Sequence, residues 1–305
     1  MSLSYLQKSL FFSEKAEKDW NSIEEFIMTD QQCSKYFTEA SYVEDLHVSD
    51  KVFSKIEFGE DILEILKQLH KKKYMYKTLL EREIIVRSRP FVVEFTGTPR
   101  AGKTSAIKNL EDFFKKAGFK VKVIEELTTS QYFKDSISIK RDTMSLGDYN
   151  LLIMEETYKR LLEGINSDVD ILLVDRGIND RQIWNFMRTL SGDIKLDKYA
   201  ETGRRFTHLS RQLVDVLFVL KVNAFTAVYR DYMTHINLET RRFNREEKID
   251  DFNKAMMAVG CVHKRAVKHF MLIDSETYNQ LEISMITANQ ILDIMFEEAL
   301  SSVAF

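Results

Sequence analysis

Phe91-Val92-Val93-Glu94-Phe95-Thr96-Gly97-Thr98-Pro99-Arg100-Ala101-Gly102-Lys103-Thr104-Ser105-Ala106 is an apolar run that enters a G-x-x-x-x-G-K-[ST] loop and leaves it as a helix start. That spacing lets backbone N–H groups curl around phosphates, while Lys103 reaches the outer phosphates and Thr104 holds Mg²⁺. Gly97 and Gly102 permit backbone angles and close approaches that a Cβ would block, and the helix that opens at Lys103 favours negative charge at its N-terminus. Ile107, Leu110, Phe113 and Phe114 fall on one face of that helix, and Gly118 stops it after Lys115 and Lys116. Residues 97–105 are therefore expected to bind a nucleoside triphosphate with Mg²⁺, and what remains open is the fate of the γ-phosphate.

The chain has 305 residues, 44% hydrophobic and 30% charged, enough for one large domain and an accessory segment. A formal net charge of -3 gives no reason to expect a nucleic-acid polymer or an anionic membrane, and Lys71, Lys72, Lys73 and Lys77 read as a solvated helix face. Cys33 and Cys261 are the only cysteines, so neither a disulfide framework nor a cysteine metal site is expected. No secretory signal or membrane-length apolar run is found, and a cytoplasmic location is the expectation. The six histidines show no metal-ligand spacing and no pairing with a nucleophile.

Residues 1–88 read as a helical accessory segment preceding a domain at 89–305. Ser22 with Glu25 offers a capping box, and Ile62, Ile65, Leu66, Leu69, Tyr76, Leu79 and Leu80 mark a long amphipathic helix ending near Arg87. The segment is either an appendage or a surface for a protein partner or a second copy of the chain. From Pro90 onwards strand patterns at 91–96, 120–125, 170–174, 214–221 and 269–273 alternate with helical ones. Such alternation predicts an α/β fold with a five-stranded, mainly parallel sheet covered on both faces and ligands at the strands' C-terminal ends.

The residues that follow each strand are then the candidates. Glu125 and Glu126 close the second strand, where a carboxylate serves as general base for an acceptor hydroxyl or simply faces solvent. Asp175 follows the third strand and suits Mg²⁺, with Arg176 beside it to neutralise a transferring phosphate. One helix beyond the fourth strand, Arg241, Arg242 and Arg245 read either as a lid over the triphosphate or as a solvated run.

With these sites in view, residues 90–300 resemble the P-loop kinases that include deoxynucleoside kinases and thymidylate kinases. In deoxynucleoside kinases the second strand ends in a Glu-Pro pair whose Glu is the base for the 5′-hydroxyl, and Glu126-Leu127 stands at the matching position without the proline. The family's Asp-Arg motif is similar to Asp175-Arg176-Gly177, and Asp180-Arg181 to a second such pair near the bound nucleoside. Its arginine-rich lid, ending in paired acids, is similar to Arg241, Arg242 and Arg245 with Glu246 and Glu247. The resemblance implies a three-layer P-loop fold, and it makes Glu155 or Tyr149, on the helix from about Asp148 to Glu163, acceptor contacts, with Trp184 and Phe186 either stacking on a base or packing in the core.

A hydroxyl acceptor must lose a proton during attack, whereas a nucleotide phosphate needs basic residues to hold it. Glu125-Glu126 suits the hydroxyl, and the thymidylate-kinase arrangement of an arginine immediately before the Glu is absent, although Arg141, Arg176 and Arg181 can surround a phosphate. The expected activity is γ-phosphoryl transfer from ATP to a nucleoside-like hydroxyl or a nucleotide. The alternatives are a kinase for an antibiotic or nucleotide-sugar hydroxyl, and a non-catalytic ATP-gated module that reports to a partner through residues 1–88.

Overall fold

The computed structural model describes residues 60–81, 87–130, 133–137, 143–234 and 246–303. The Ser22–Glu25 capping box, Arg141 and the proposed lid residues Arg241, Arg242 and Arg245 lie outside the described residues.

Five strands, β1 (Phe91–Gly97), β2 (Val121–Ile124), β3 (Ile171–Asp175), β4 (Val216–Lys221) and β5 (His269–Asp274), form one sheet in the order β2-β3-β1-β4-β5. Every pairing is parallel, with Glu94 opposite Val174 on one side and Leu217 on the other. A parallel sheet needs cover on both faces, which is why the strands read as near-continuous apolar runs. Eight helices supply the cover among the described residues: α1 (Glu60–Glu81), α2 (Lys103–Lys115), α3 (Leu146–Ile165), α4 (Ile178–Leu190), α5 (Leu196–Leu213), α6 (Ala224–Thr234), α7 (Glu246–Ala266) and α8 (Gln280–Val303).

The alternation of β1 divides the core. Phe91, Val93 and Phe95 point into a layer shared with Leu110 and Phe114 of α2, Ile283 and Ile291 of α8, and Leu69 and Tyr76 of α1. Val92 points the other way, towards Met154 of α3, Ile183 and Phe186 of α4, Phe206 of α5 and Phe252 of α7. Side chains at successive strand positions face opposite layers, so Glu94 and Thr96 belong to the second layer as well. β1 and β3 are parallel neighbours inside the sheet, so the loops that follow them lie side by side at its C-terminal end.

The first helix shares the first layer. Lys73 is fully buried, its Nζ donates to Phe113 O at 2.8 Å and lies 3.9 Å above the Phe113 ring, and Tyr76 sits between the rings of Phe119 and Phe296 at 6.3 and 5.2 Å. Burial and the nearby Lys116 lower the Lys73 ammonium to about 8.

Gly97 ends β1 with φ +124°, and a Cβ placed there would lie 2.0 Å from Leu220 O. Both the backbone angle and the contact exclude a side chain. Gly97→Ala is expected to destabilise the fold by about 3 kcal/mol, read as a lower urea midpoint with an unchanged slope; a midpoint equal to wild type would show that β1 and β4 can separate there at no cost.

Candidate active site

The loop after β1 is shaped by two left-handed residues, Arg100 (φ +62°) and Gly102 (φ +92°), with Ala101 N bonded to Thr98 O at 3.2 Å. Alternating backbone hands turn successive N–H groups into one concavity, which suits an anion. Thr98 fastens the loop from beneath: its N–H donates to Leu220 O at 2.9 Å and its hydroxyl to Asn253 Oδ1 at 2.5 Å. Gly97 and Thr98 therefore hold the loop, while Pro99, Arg100, Ala101, Gly102, Lys103, Thr104 and Ser105 line a cleft of about 1020 Å³. The Arg100 guanidinium turns away to Asp231 of α6, with its Nε 2.6 Å from Oδ1.

Lys103 is buried, and its Nζ donates to Gly97 O at 3.0 Å and Thr98 O at 2.6 Å. Burial, followed by the Arg176 charge, pulls its ammonium down to about 7, against Asp175, Asp180 and Glu126. Thr104 Oγ1 donates to Asp175 Oδ2 at 2.6 Å. Asp175 Oδ1 is buried and has no hydrogen-bond partner, and burial raises the carboxyl despite Thr104, Lys103 and Arg176. A hydroxyl and a carboxylate with one unused oxygen form the kind of oxygen donor pair that Mg²⁺ takes from protein, the remaining ligands being water and phosphate. Among the described residues no cluster of three or more His, Cys, Asp or Glu side chains could hold a metal.

Arg176 forms the opposite wall. It is non-glycine yet sits at φ +59°, and its N–H is anchored to Phe95 O at 2.9 Å. Its Nε lies 3.1 Å from Glu126 Oε2 and its NH1 2.9 Å from Asp180 Oδ1, so one guanidinium bridges two carboxylates. Burial opposes its charge, but Asp180, Glu126 and Asp175 together raise it above the ordinary arginine value. Thr128 Oγ1 donates to Glu126 Oε1 at 2.6 Å, and the carboxylate is presented to the cleft. Asp180 is fully buried and also accepts from Thr96 Oγ1 at 2.7 Å and Trp184 Nε1 at 3.1 Å. Burial works to raise it, but Arg176, Arg181 and Thr96 outweigh burial and hold it below the usual carboxylate range.

The remaining sequence candidates scatter. Glu125 is exposed and Glu155 is exposed on α3, and neither lines the cleft. Arg181 is buried, with Nε and NH2 lacking hydrogen-bond partners and NH2 3.9 Å from Asp180 Oδ2. Trp184 lines the cleft, whereas Phe186 and Tyr149 belong to cores. Sequence reasoning missed the third wall: Tyr229 and Arg230 of α6, and Tyr278, Asn279 and Gln280 after β5. Arg230 NH2 donates to Ser275 O at 2.9 Å, and Gln280 Nε2 approaches Gly102 O at 3.4 Å. Extending the rule that ligands meet strand C-termini to β5 would have found that loop.

No protein-family model matches the chain, and no curated protein matches it in sequence. Solved structures similar to it include a deoxyadenosine kinase from M. mycoides with bound dCTP (18% identity, 66% of this chain and 98% of that one, TM-score 0.44) and the same enzyme with bound dATP (19%, 66% and 98%, 0.44). A thymidylate kinase from Candida albicans is similar at 13% identity over 70% of this chain and 94% of that one, with a TM-score of 0.49. The parallel strand order and the loop that follows β1 make the chain an α/β protein with a phosphate-loop motif.

Proposed function

We propose that the protein is a kinase that transfers the γ-phosphoryl group of ATP, with Mg²⁺, to a nucleoside-like hydroxyl, nucleotides being the second class of acceptor. The observation that carries the reading is Glu126, held on the cleft wall by Arg176 and Thr128 and facing the phosphate loop. An attacking hydroxyl has a proton to lose, and a positioned carboxylate receives it. A phosphate acceptor would instead need a cation: the Arg176 guanidinium is already engaged by Glu126 and Asp180, and the Nε and NH2 of Arg181, which lack hydrogen-bond partners, are what keep nucleotides as the second class.

Loop amides and Lys103 hold the triphosphate, and Thr104 and Asp175 are the residues that would hold Mg²⁺. The bound ion would neutralise charge on the phosphate oxygens. The acceptor oxygen bonds to the γ-phosphorus as the bond to the β-phosphate oxygen breaks; ADP departs and the hydroxyl proton passes to Glu126. Such transfer has a loose transition state, so positioning and charge stabilisation do most of the work. Among the described residues no helix is long and apolar enough to cross a membrane.

Labelled ATP offered with nucleosides, nucleoside monophosphates and aminoglycoside-type hydroxyl compounds tests the reading. A labelled nucleoside monophosphate is expected, with Glu126→Gln lowering kcat about 100-fold and leaving ATP affinity unchanged. Transfer to monophosphates that survives Glu126→Gln would make the protein a nucleotide kinase. ATP binding without transfer to any acceptor would overturn the kinase reading in favour of an ATP-gated binding module.

A further inference from the structure

Glu94 is a carboxylate in the middle of the central strand, 1% exposed, on the face where Val92 packs among apolar side chains. A buried charge is costly, and a hydrophobic residue of similar volume would serve the core at least as well. Its contacts identify what it does instead. Oε1 accepts from Asn179 N at 2.8 Å and Asp180 N at 3.3 Å, and Oε2 accepts from Asn179 Nδ2 at 2.8 Å. Those two amides are in the first turn of α4, where N–H groups have no partner within the helix. Gly177, at the capping position, has no side chain to satisfy them, so Glu94 does so from the neighbouring strand.

The arrangement is closed on every side. A Cβ on Gly177 would lie 2.6 Å from Glu94 Cδ, so the glycine is what lets the carboxylate approach. Asn179 is held in turn by Ser210 of α5, at 2.8 Å from Nδ2 to Oγ and 3.1 Å from Oγ to Oδ1. Thr96, two residues along the same face of β1, binds Asp180 Oδ1, the oxygen that also receives Arg176 NH1. Glu94 and Thr96 together set the first turn of α4, that turn sets Asp180, and Asp180 with Glu126 aims the Arg176 guanidinium. Burial raises the Glu94 carboxyl to about 7, opposed by its hydrogen bonds to Asn179 and Asp180.

We propose that Glu94 is a positioning residue for phosphoryl transfer, acting through the first turn of α4 to fix the Asp180–Arg176–Glu126 chain. The role in transfer rests on the function proposed above; the placement of Arg176 does not. The test therefore joins a spectroscopic readout to a kinetic one. The ¹⁵N-edited resonance of the Arg176 Nε–H, assigned by its loss in Arg176→Lys, reports the contact with Glu126 without any substrate. It is measured in wild type, in Glu94→Gln and in the double variant Glu94→Gln/Asn179→Asp, which reverses the donor and acceptor between strand and helix and keeps the net charge.

In Glu94→Gln the Nε–H is expected to shift and to exchange with water about tenfold faster, and in the double variant to return towards wild type. Acceptor kcat/KM should fall about 10- to 100-fold with ATP affinity altered less than threefold, and recover in the double variant. An unmoved resonance in folded Glu94→Gln overturns the proposal, as does equal loss towards acceptor and ATP that the double variant leaves uncorrected. If Glu94→Gln does not fold, the double variant decides alone, a wild-type resonance supporting the proposal and a displaced one overturning it. If wild type transfers phosphate to no acceptor, the kinase reading and the role of Glu94 in transfer both fall, and the resonance decides only whether Glu94 places Arg176.

Discussion

Lys103→Ala is expected to lower phosphoryl transfer about 1000-fold or more while the protein stays folded. The ammonium lies inside the loop, 2.6 Å from Thr98 O and 3.0 Å from Gly97 O, within reach of a polyphosphate seated on the loop amides. The other loop cation does not replace it, because the Arg100 guanidinium is drawn to Asp231. Burial already disfavours the charge on Lys103, so its removal relieves a desolvated cation and the thermal midpoint should move by only a few degrees. Single-turnover transfer from labelled ATP reads the loss. A rate within tenfold of wild type in a folded variant would take the loop lysine out of the reaction.

Arg176→Lys is the second large effect, expected to cut kcat about 100- to 1000-fold with little change in ATP affinity. Lysine keeps the charge and is bound by the same left-handed backbone, so the comparison isolates the planar fork. Only a guanidinium can meet Glu126 Oε2 with Nε and Asp180 Oδ1 with NH1 at the same time. A lysine ammonium carries its three donors on one nitrogen, so it keeps the charge but cannot set two nitrogens in a fixed plane against the two carboxylates. Asp180 retains Thr96 and Trp184 as donors, so the fold should survive. Steady-state constants for acceptor and ATP separate the effects: kcat within threefold of wild type would show that charge alone, not its geometry, is what the site requires.

Much of this was legible because the deciding signals are local. The phosphate loop is a matter of eight consecutive residues, and parallel strands buried on both faces leave apolar runs that need no partner to be seen. Asp175 could be placed because a carboxylate directly after such a run stands at the strand's C-terminal end. Glu125 and Glu126 are distinguished only by where the chain turns. The strand stops at Ile124, one residue earlier than its pattern suggests, and the chain turns so that only the second glutamate meets Arg176. The wall made by Tyr229, Arg230 and Tyr278 assembles side chains from segments nearly fifty residues apart that share no motif. Glu94 is hidden for the opposite reason. It sits inside the most readable stretch of the chain, where a single polar residue looks like an interruption until the turn it receives is known.

The contacts of the first helix bear on how such chains can be recombined. In sequence, residues 1–88 read as an accessory segment that could be traded for another at a junction before Pro90. Yet Lys73 fills the space over Phe113, and Tyr76 lies between Phe119 and Phe296. A chimera joined there would leave those three aromatic rings facing water beneath the helix that starts at the phosphate loop. A crossover that keeps this layer covered must fall upstream of Leu66, which packs against it, so the helix has to travel with the loop it lies behind.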